Sequence, residues 1–408
     1  MSEIVLINIT GKDRKGLDAK FTNILAQYNV NILDIGQAVI HQHISLGILA
    51  QIPEQKDFAL IFKDMLFEGH NMGLQIDIKP INLKDYEKWV HAQGKEKRII
   101  TMLGRNISAR QISCVAEIIS KNNLNIDYIK RLTGRISLKN PIKDPRASVQ
   151  MCVSGTPLKI HDMRKRFMEI SQEEEIDISF HVDNIYMKNM KLVVFDMDST
   201  LIQAEVIDEI AALANKKEEV SKITESAMRG EIDFDESFKK RVALLKGVKE
   251  ESLQKIPKNL PLTDGLELVT KTLKGLGYKL GILSGGFSFV GEYLNKKFHF
   301  DYMYANKLDV ENGVVTGKIV GEIVNGEQKA RLLRQIAQKE QIVLDQTIAI
   351  GDGANDLPMI SIAGLGVAFN AKPTVKSNSA SHISNVGLEG LLYLIGLHER
   401  EIREEVHL

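Results

Sequence analysis

The sequence predicts an α/β protein: a doubly wound core with a helical insertion, preceded by two smaller α+β units of βαββαβ order. Three observations carry this. Two stretches ahead of Lys191 repeat one another loosely. Beyond it, short apolar runs alternate with helical stretches, the pattern of a parallel sheet buried on both faces. Those runs also end in polar residues of one kind, at the strand ends where such sheets bind ligands.

The first unit, residues 1–90, opens with an alternating strand over Glu3 to Thr10 and a loop with Gly11, Asp13 and Gly16. A helical stretch follows from Leu17 to Tyr28, then Asn29 to Ile35 and a strand-like run from Gln37 to Ile52. A second helical stretch, Phe58 to Glu68, leads to a last strand at Gln75 to Lys79. The second unit, residues 96–186, repeats this order. Its stretches are Arg98 to Leu103, Ala109 to Lys121, Asn123 to Asp127, Ala147 to Val153, Ile160 to Ile170 and Asp177 to Val182. The helix-exit signature N-x-N-I recurs at Asn31 and Asn125, and the loop glycine at Gly11 and Gly104. The two separations agree to within one residue, which argues for duplication.

The third unit, residues 188–408, holds apolar runs at Lys191 to Asp196, Tyr278 to Leu283, Thr347 to Ile350 and Gly366 to Phe369. Residues 203–262 carry helical patterns without a convincing strand, so they read as a helical insertion placed to cover a site. Asn312-Gly313 between two β-prone runs predicts a two-residue hairpin.

With 53 basic and 53 acidic side chains there is no cationic excess to hold nucleic acid or an anionic membrane. No apolar run reaches the roughly 18 residues a membrane span needs, and the charged N-terminal segment is unlike a signal peptide. Cys114 and Cys152 fit no metal-ligand spacing. They read as free thiols, which suits a cytoplasmic setting. Small-molecule chemistry is the class that remains.

Asp196 and Asp198 sit two apart at the end of a buried strand, where an extended chain points both the same way. Two crowded carboxylates raise the free energy unless a cation or a shared proton relieves them. Asp352 and Asp356 follow another buried strand on a Gly-rich loop. Either cluster alone has a bland reading as helix caps and turns; both together favour an oxygen-only site suited to Mg2+. A phosphate monoester fits such a site. Asp196 is the candidate nucleophile and Asp198 the candidate acid and base. Ser284 offers a hydroxyl, and Gly285 and Gly286 offer N–H groups at an expected helix start. Lys329, whose bland reading is a solvated surface lysine, opens a helical stretch and would add a positive charge.

Taken together, Asp196-Met-Asp-Ser-Thr-Leu201, Ser284-Gly-Gly-Phe287, Lys329 and Gly351-Asp-Gly-Ala-Asn-Asp-Leu357 resemble the four motifs of the haloacid-dehalogenase-like phosphatases, in their order. The resemblance implies a Rossmann-like core and Mg2+ held by Asp196, Asp352 and the backbone carbonyl of Asp198. Asp356 would support these ligands, and Asn355 would join the substrate site. The insertion resembles the cap of the phosphoserine phosphatase family. That implies Glu205 at the substrate ammonium, Arg241 at its carboxylate, and Met228 and Phe234 packed beside it. These roles are chemically reasonable for a zwitterion. Arg241, in a Lys-Lys-Arg run, has a bland reading as a solvated charge.

The N-terminal units resemble ACT domains, ligand-binding modules common on amino-acid enzymes. Gly11, Asp13 and Gly16 match the first loop and helix entry of that family and are the candidate effector-binding residues; the second unit lacks the aspartate and the second glycine. The resemblance implies an amino-acid effector or a scaffold for oligomers, and a homodimer. The expected activity is hydrolysis of O-phosphoserine. Two other readings compete: a phosphotransferase passing the group to an alcohol such as homoserine, and an amino-acid sensor with a vestigial phosphatase half.

Overall fold

The computed structural model describes residues 3–54, 58–140, 143, 145–229, 231–379 and 381–402, with Met228 described in its backbone only. The chain forms two compact units, Met1–Lys95 and Glu96–Leu408.

The first unit runs β1 (Glu3–Lys12), α1 (Leu17–Gln27), β2 (Asn31–Ile40), β3 (His43–Ile52), α2 (Phe58–Met72), β4 (Gln75–Ile81) and α3 (Leu83–His91). Its antiparallel sheet has the order β2-β3-β1-β4. The run expected from Gln37 to Ile52 is a hairpin, broken where His41 takes a positive φ of 59°. Helix α3 lies beyond the elements expected from sequence; Asn82 caps it by accepting from Asp85 N at 2.8 Å.

In the second unit the same pattern returns as β5 (Lys97–Gly104), α4 (Ala109–Lys121), β6 (Asn125–Arg131), β7 (Ala147–Ser154), α5 (Ile160–Glu173) and β8 (Asp177–Val182), ordered β6-β7-β5-β8. The duplication reaches local detail. Asn29 and Asn123 both leave their helices with positive φ, and both hairpin registers slip two residues into the strand, at Ile32/Asp34 and Ile126/Tyr128.

The rest of this unit is the doubly wound core. It begins with β9 (Leu192–Phe195), then α6 (Val206–Leu213), α7 (Lys217–Met228), α8 (Phe234–Ala243), α9 (Glu250–Leu253) and α10 (Ile256–Asn259). These five helices fill the expected insertion, which closes at a bridge between Ile202 and Leu262. Next come α11 (Leu266–Gly275), β10 (Lys279–Phe287), α12 (Ser288–Phe298), and the hairpin β11 (Tyr302–Glu311) and β12 (Val314–Val320). Asn312 and Gly313 turn that hairpin, both with positive φ. The chain continues through α13 (Gly326–Lys339), β13 (Thr347–Gly351), α14 (Leu357–Ile362), β14 (Leu365–Phe369), α15 (Pro373–Lys376), β15 (Ser381–Ile383) and α16 (Gly390–Leu394).

The sheet order is β12-β11-β10-β9-β13-β14-β15, parallel except for β12. Strand β9 lies in its middle and shows why its sequence is apolar throughout: Val193 and Phe195 enter the core on one face, Leu192 and Val194 the core on the other. The second repeat packs on this core through β8 and β15. Ser179 Oγ and Ser381 Oγ lie 2.6 Å apart, and the buried Asp177 carboxylate accepts from Ser384 N, Asn385 N and Asn385 Nδ2 at 2.8–3.1 Å. Among the described residues no helix is long and apolar enough to cross a membrane, and Cys114 and Cys152 are free.

Candidate active site

The carboxyl ends of β9, β10 and β13 converge on one polar pocket. Asp196 follows β9 directly and is locked to the neighbouring strand by its N–H to Ile350 O at 2.8 Å. Behind it lies Lys329, in the first turn of α13, a helix capped by Asn325. The lysine is 0 % exposed, so the solvated-surface reading fails. Its Nζ donates to Asp196 Oδ1 at 2.7 Å and Asp356 Oδ1 at 2.6 Å. Burial works against its charge, but the two carboxylates outweigh it and raise its pKa.

Asp356 is wholly buried and also accepts from Gly353 N at 3.0 Å. Gly351 has to be glycine because a Cβ there would overlap the Asp356 carboxyl. One oxygen each from Asp196, Asp352 and Asp356 lies within 4.8 Å of the other two. With a single lysine against three carboxylates the cluster is short of positive charge. Burial, then Asp196 and Asp356, push Asp352 up to about 8; burial and Asp196 push Asp356 up to about 6. An oxygen-only set with excess negative charge fits a hard divalent cation. The expected set named Asp198 through its backbone; the side chain that completes the close trio is that of Asp356.

The Asp198 carboxyl turns away from this cluster and over Gly286. A Cβ on Gly286 would come within 2.5 Å of Asp198 Oδ2, so the glycine is what lets the acid lie there. Asp198 Oδ1 is buried and has no hydrogen-bond partner. Burial, then Glu205 and Asp196, raise its pKa well above the usual carboxylate range.

Ser284 is fully buried at the end of β10. Its Oγ accepts from Gly286 N at 2.9 Å, leaving its own proton to donate. This corrects two expectations. The Gly286 N–H is already used, and the glycines lie in the strand extension, with α12 starting only at Ser288. Asn306 of β11 secures the loop, donating to Gly285 O at 2.8 Å and accepting from Val324 N at 2.9 Å. Asn355 is half-buried in the short turn over Gly353.

The cap supplies the opposite wall. Glu205 precedes α6, and its Oε1 accepts from Ser199 Oγ at 2.8 Å. Burial of the carboxyl raises its pKa against that bond. Ser199 takes a positive φ of 57°, part of the tight turn in which Thr200, Leu201 and Ile202 all donate to Met197 O. Arg241 of α8 lies 5.9 Å from the Phe238 ring centroid, with Nη1 only 3.4 Å from Thr224 Oγ1 and Nε buried without a partner. Desolvation lowers its pKa, opposed by Glu205, Asp208 and Asp198. Phe234 stacks on Phe238 and Phe238 on Phe287, tying cap to core. Met228 ends α7; its side chain is outside the described residues.

Family models match in three places: an ACT domain at residues 3–79, an ACT domain at 97–181, and a haloacid dehalogenase-like hydrolase at 193–361. A phosphoserine phosphatase of Mycobacterium tuberculosis is 34% identical over 98% of this chain and 94% of its own length. The chain belongs to the phosphoserine phosphatase family. A phosphoserine phosphatase of Streptomyces coelicolor is 36% identical over 98% of this chain and 93% of its own. The crystal structure of a probable phosphoserine phosphatase from Vibrio cholerae superposes with a TM-score of 0.57 at 30% identity, covering 78% of this chain and 90% of that one.

Thr200 and Asn306 are among the residues of the site that were not expected from sequence. Thr200 Oγ1 reaches Asp352 Oδ1 at 3.3 Å. It stands inside the first motif, so a local signal for it existed. Asn306 lies within a strand and carries no local signal. In the first ACT domain, Gly16 enters α1 in the left-handed region (φ 83°) without a side-chain cap, and Gly11 has φ 155° close to Leu74. Asp13 is tied by its N–H to Gln42 O at 2.8 Å. The second ACT domain starts its helix differently, with a capping box between Ser108 and Gln111.

Proposed function

We propose that this chain hydrolyses O-phospho-L-serine to L-serine and phosphate, with Asp196 as nucleophile. The observation that carries the reading is the pairing of a partnerless Arg241 Nε and an acidic Glu205 across from Asp196 and Asp198. A zwitterion bearing a phosphate needs those charges in that order.

An Asp196 oxygen attacks phosphorus, and the bond from phosphorus to the serine oxygen breaks. Asp198, held neutral by burial and its acidic neighbours, gives its proton to the leaving oxygen. Water then attacks phosphorus, its proton passes to Asp198, and the acyl phosphate bond breaks to release phosphate and restore Asp196. Lys329 orients Asp196, and Ser284, with its hydroxyl proton free, and the Gly285 N–H donate to the phosphoryl oxygens. Asn355 borders the same pocket. Mg2+ would be held by Asp196, Asp352 and the Asp198 carbonyl, with Asp356 in support. When bound it lowers the repulsion between carboxylates and phosphate.

We assign residues 1–90 and 96–186 to regulation by an amino acid such as L-serine, through Gly11, Asp13 and Gly16, and residues 188–408 to catalysis. The assembly is a homodimer in the cytoplasm, a reading supported by the exposed apolar side chains of β2 and the two free thiols. The test is a panel of phosphorylated small molecules assayed with wild type and Arg241→Ala, with chelator and with Mg2+ restored. Preference for O-phosphoserine should be lost with Arg241. A preference that survives the substitution overturns the cap assignment.

A further inference from the structure

Outside the catalytic pocket, a cavity of about 460 Å³ opens between the second ACT domain and the catalytic core. One wall is the face of α5 carrying His161, Arg164, Lys165 and Met168, spaced to project together. The other is the end of α15 with Lys376, followed by Ser377 to Ser379 and His382 of β15.

No acidic side chain lines the cavity among the described residues. The acids of α5 are turned to its other faces, where Asp162 pairs with Lys159, and Glu169 and Glu173 pair with Arg166. Among the described residues Arg164, Lys165 and Lys376 have no ion pair. The nearby Asp177 is committed to the amides of Ser384 and Asn385. Ser171 Oγ donates to Ile176 O, so it must accept from His382 Nε2 at 2.6 Å, which fixes that ring. Burial, then Lys376, pulls the His382 pKa down to about 4, so the positive charge is that of Arg164, Lys165 and Lys376. Cations from two separate elements thus line one concave space, with the buried Asp177 behind it the acid that acts on Lys376. Arg164 and Lys165 are exposed and Lys376 is half-buried, so an anion entering the space can meet all three at once. Phe167, Met168 and Ile178 add an apolar floor. The volume exceeds what a bare phosphate fills and falls in the range of small-molecule sites.

We propose that this cavity is a second ligand site, separate from the catalytic pocket, that binds the phosphate group of a small organic phosphate between Arg164 and Lys165 on one wall and Lys376 on the other. The site joins the regulatory and catalytic parts of one unit, and its occupant ties them together.

Isothermal titration of the full chain with AMP and with inorganic phosphate tests this, with chelator present so that no turnover occurs. AMP should bind wild type and lose at least tenfold in affinity in Arg164→Gln/Lys165→Gln, and separately in Lys376→Gln. Turnover of both variants, assayed with Mg2+, should stay within twofold of wild type. Tighter binding of AMP than of phosphate identifies an organic ligand; equal binding identifies free phosphate at the same cations. No binding to wild type, or binding that neither variant changes, overturns the site. The variants lie on different elements, so a folding defect in one, visible by circular dichroism, leaves the other decisive. A failure of the catalytic reading would appear in the substrate panel and not here.

Discussion

The core wall and the cap wall of the catalytic pocket treat charge in opposite ways. On the core wall Lys329, Asp196 and Asp356 are buried and satisfy one another. On the cap wall Arg241 keeps a buried Nε without a partner, and Glu205 is held by one hydroxyl. On the core wall those three groups are fixed by their own neighbours, while the Asp198 carboxyl beside them keeps a buried Oδ1 without a partner. The cap groups proposed to recognise the substrate are left under-bonded, so that a substrate can complete them.

This difference can be broken from the core side first. Asp196→Asn should cut turnover on the order of 10³-fold or more, with substrate binding to the cap retained in a direct titration. Turnover close to wild type would remove Asp196 from the chemistry. Lys329→Met leaves two buried carboxylates without their lysine. A loss of about 3–5 kcal/mol is expected, read as a lower midpoint in chemical denaturation beside a loss of activity. An unchanged midpoint would show that the lysine does not stabilise the cluster.

From the cap side the effect should be smaller and of another kind. Removing a charged partner from a desolvated pair costs about 2–5 kcal/mol. Arg241→Ala should therefore raise KM for O-phosphoserine by about 30-fold or more and cost little with a phosphate ester lacking the carboxylate. Equal losses on both substrates would make Arg241 structural.

The smallest expected effect concerns the joint between the second ACT domain and the core. Burial raises the Asp177 pKa to about 6 against the amides that favour its charge. The folded state therefore holds the proton more tightly than the unfolded one. Its stability contribution is full below the unfolded pKa and is lost as pH rises through about 6. A two-unit shift corresponds to about 2–3 kcal/mol. Wild type should lose stability relative to Asp177→Asn between about pH 4 and 6.5, with little further change above that. A difference between the two that stays flat with pH would contradict the shift.

The two ACT domains show how far the sequence could be read. Their common order, helix-exit asparagines and slipped hairpin registers follow from repeated local signals, and the helix Ala109 to Lys121 matches α4 to the residue. Their surroundings do not. In the first domain β1 and β3 alternate buried residues with half-buried or exposed ones; in the second, their counterparts β5 and β7 are buried along nearly their whole length. Nothing local separates these outcomes, since the second sheet is covered by segments such as Ser381 to Asn385, some two hundred residues away in sequence. The first domain also carried a hidden turn at His41 and a helix, α3, that its polar sequence did not announce.

The amino-acid sequence by itself determined the acids at the ends of buried strands, and with them the kind of chemistry. Carboxylates crowded at the end of an apolar strand raise the free energy unless a cation or a proton relieves them, so their placement already implies a charged ligand. The resemblance of the insertion to a phosphoserine phosphatase cap pointed to Glu205 and Arg241. Only the tertiary structure decided which way each charge faces. It buried Lys329 between two carboxylates, gave the close trio to Asp356, turned Asp198 over Gly286, and took the Gly286 N–H for Ser284. Such choices depend on groups distant in sequence sharing one low-dielectric space, where each charge is set by the others.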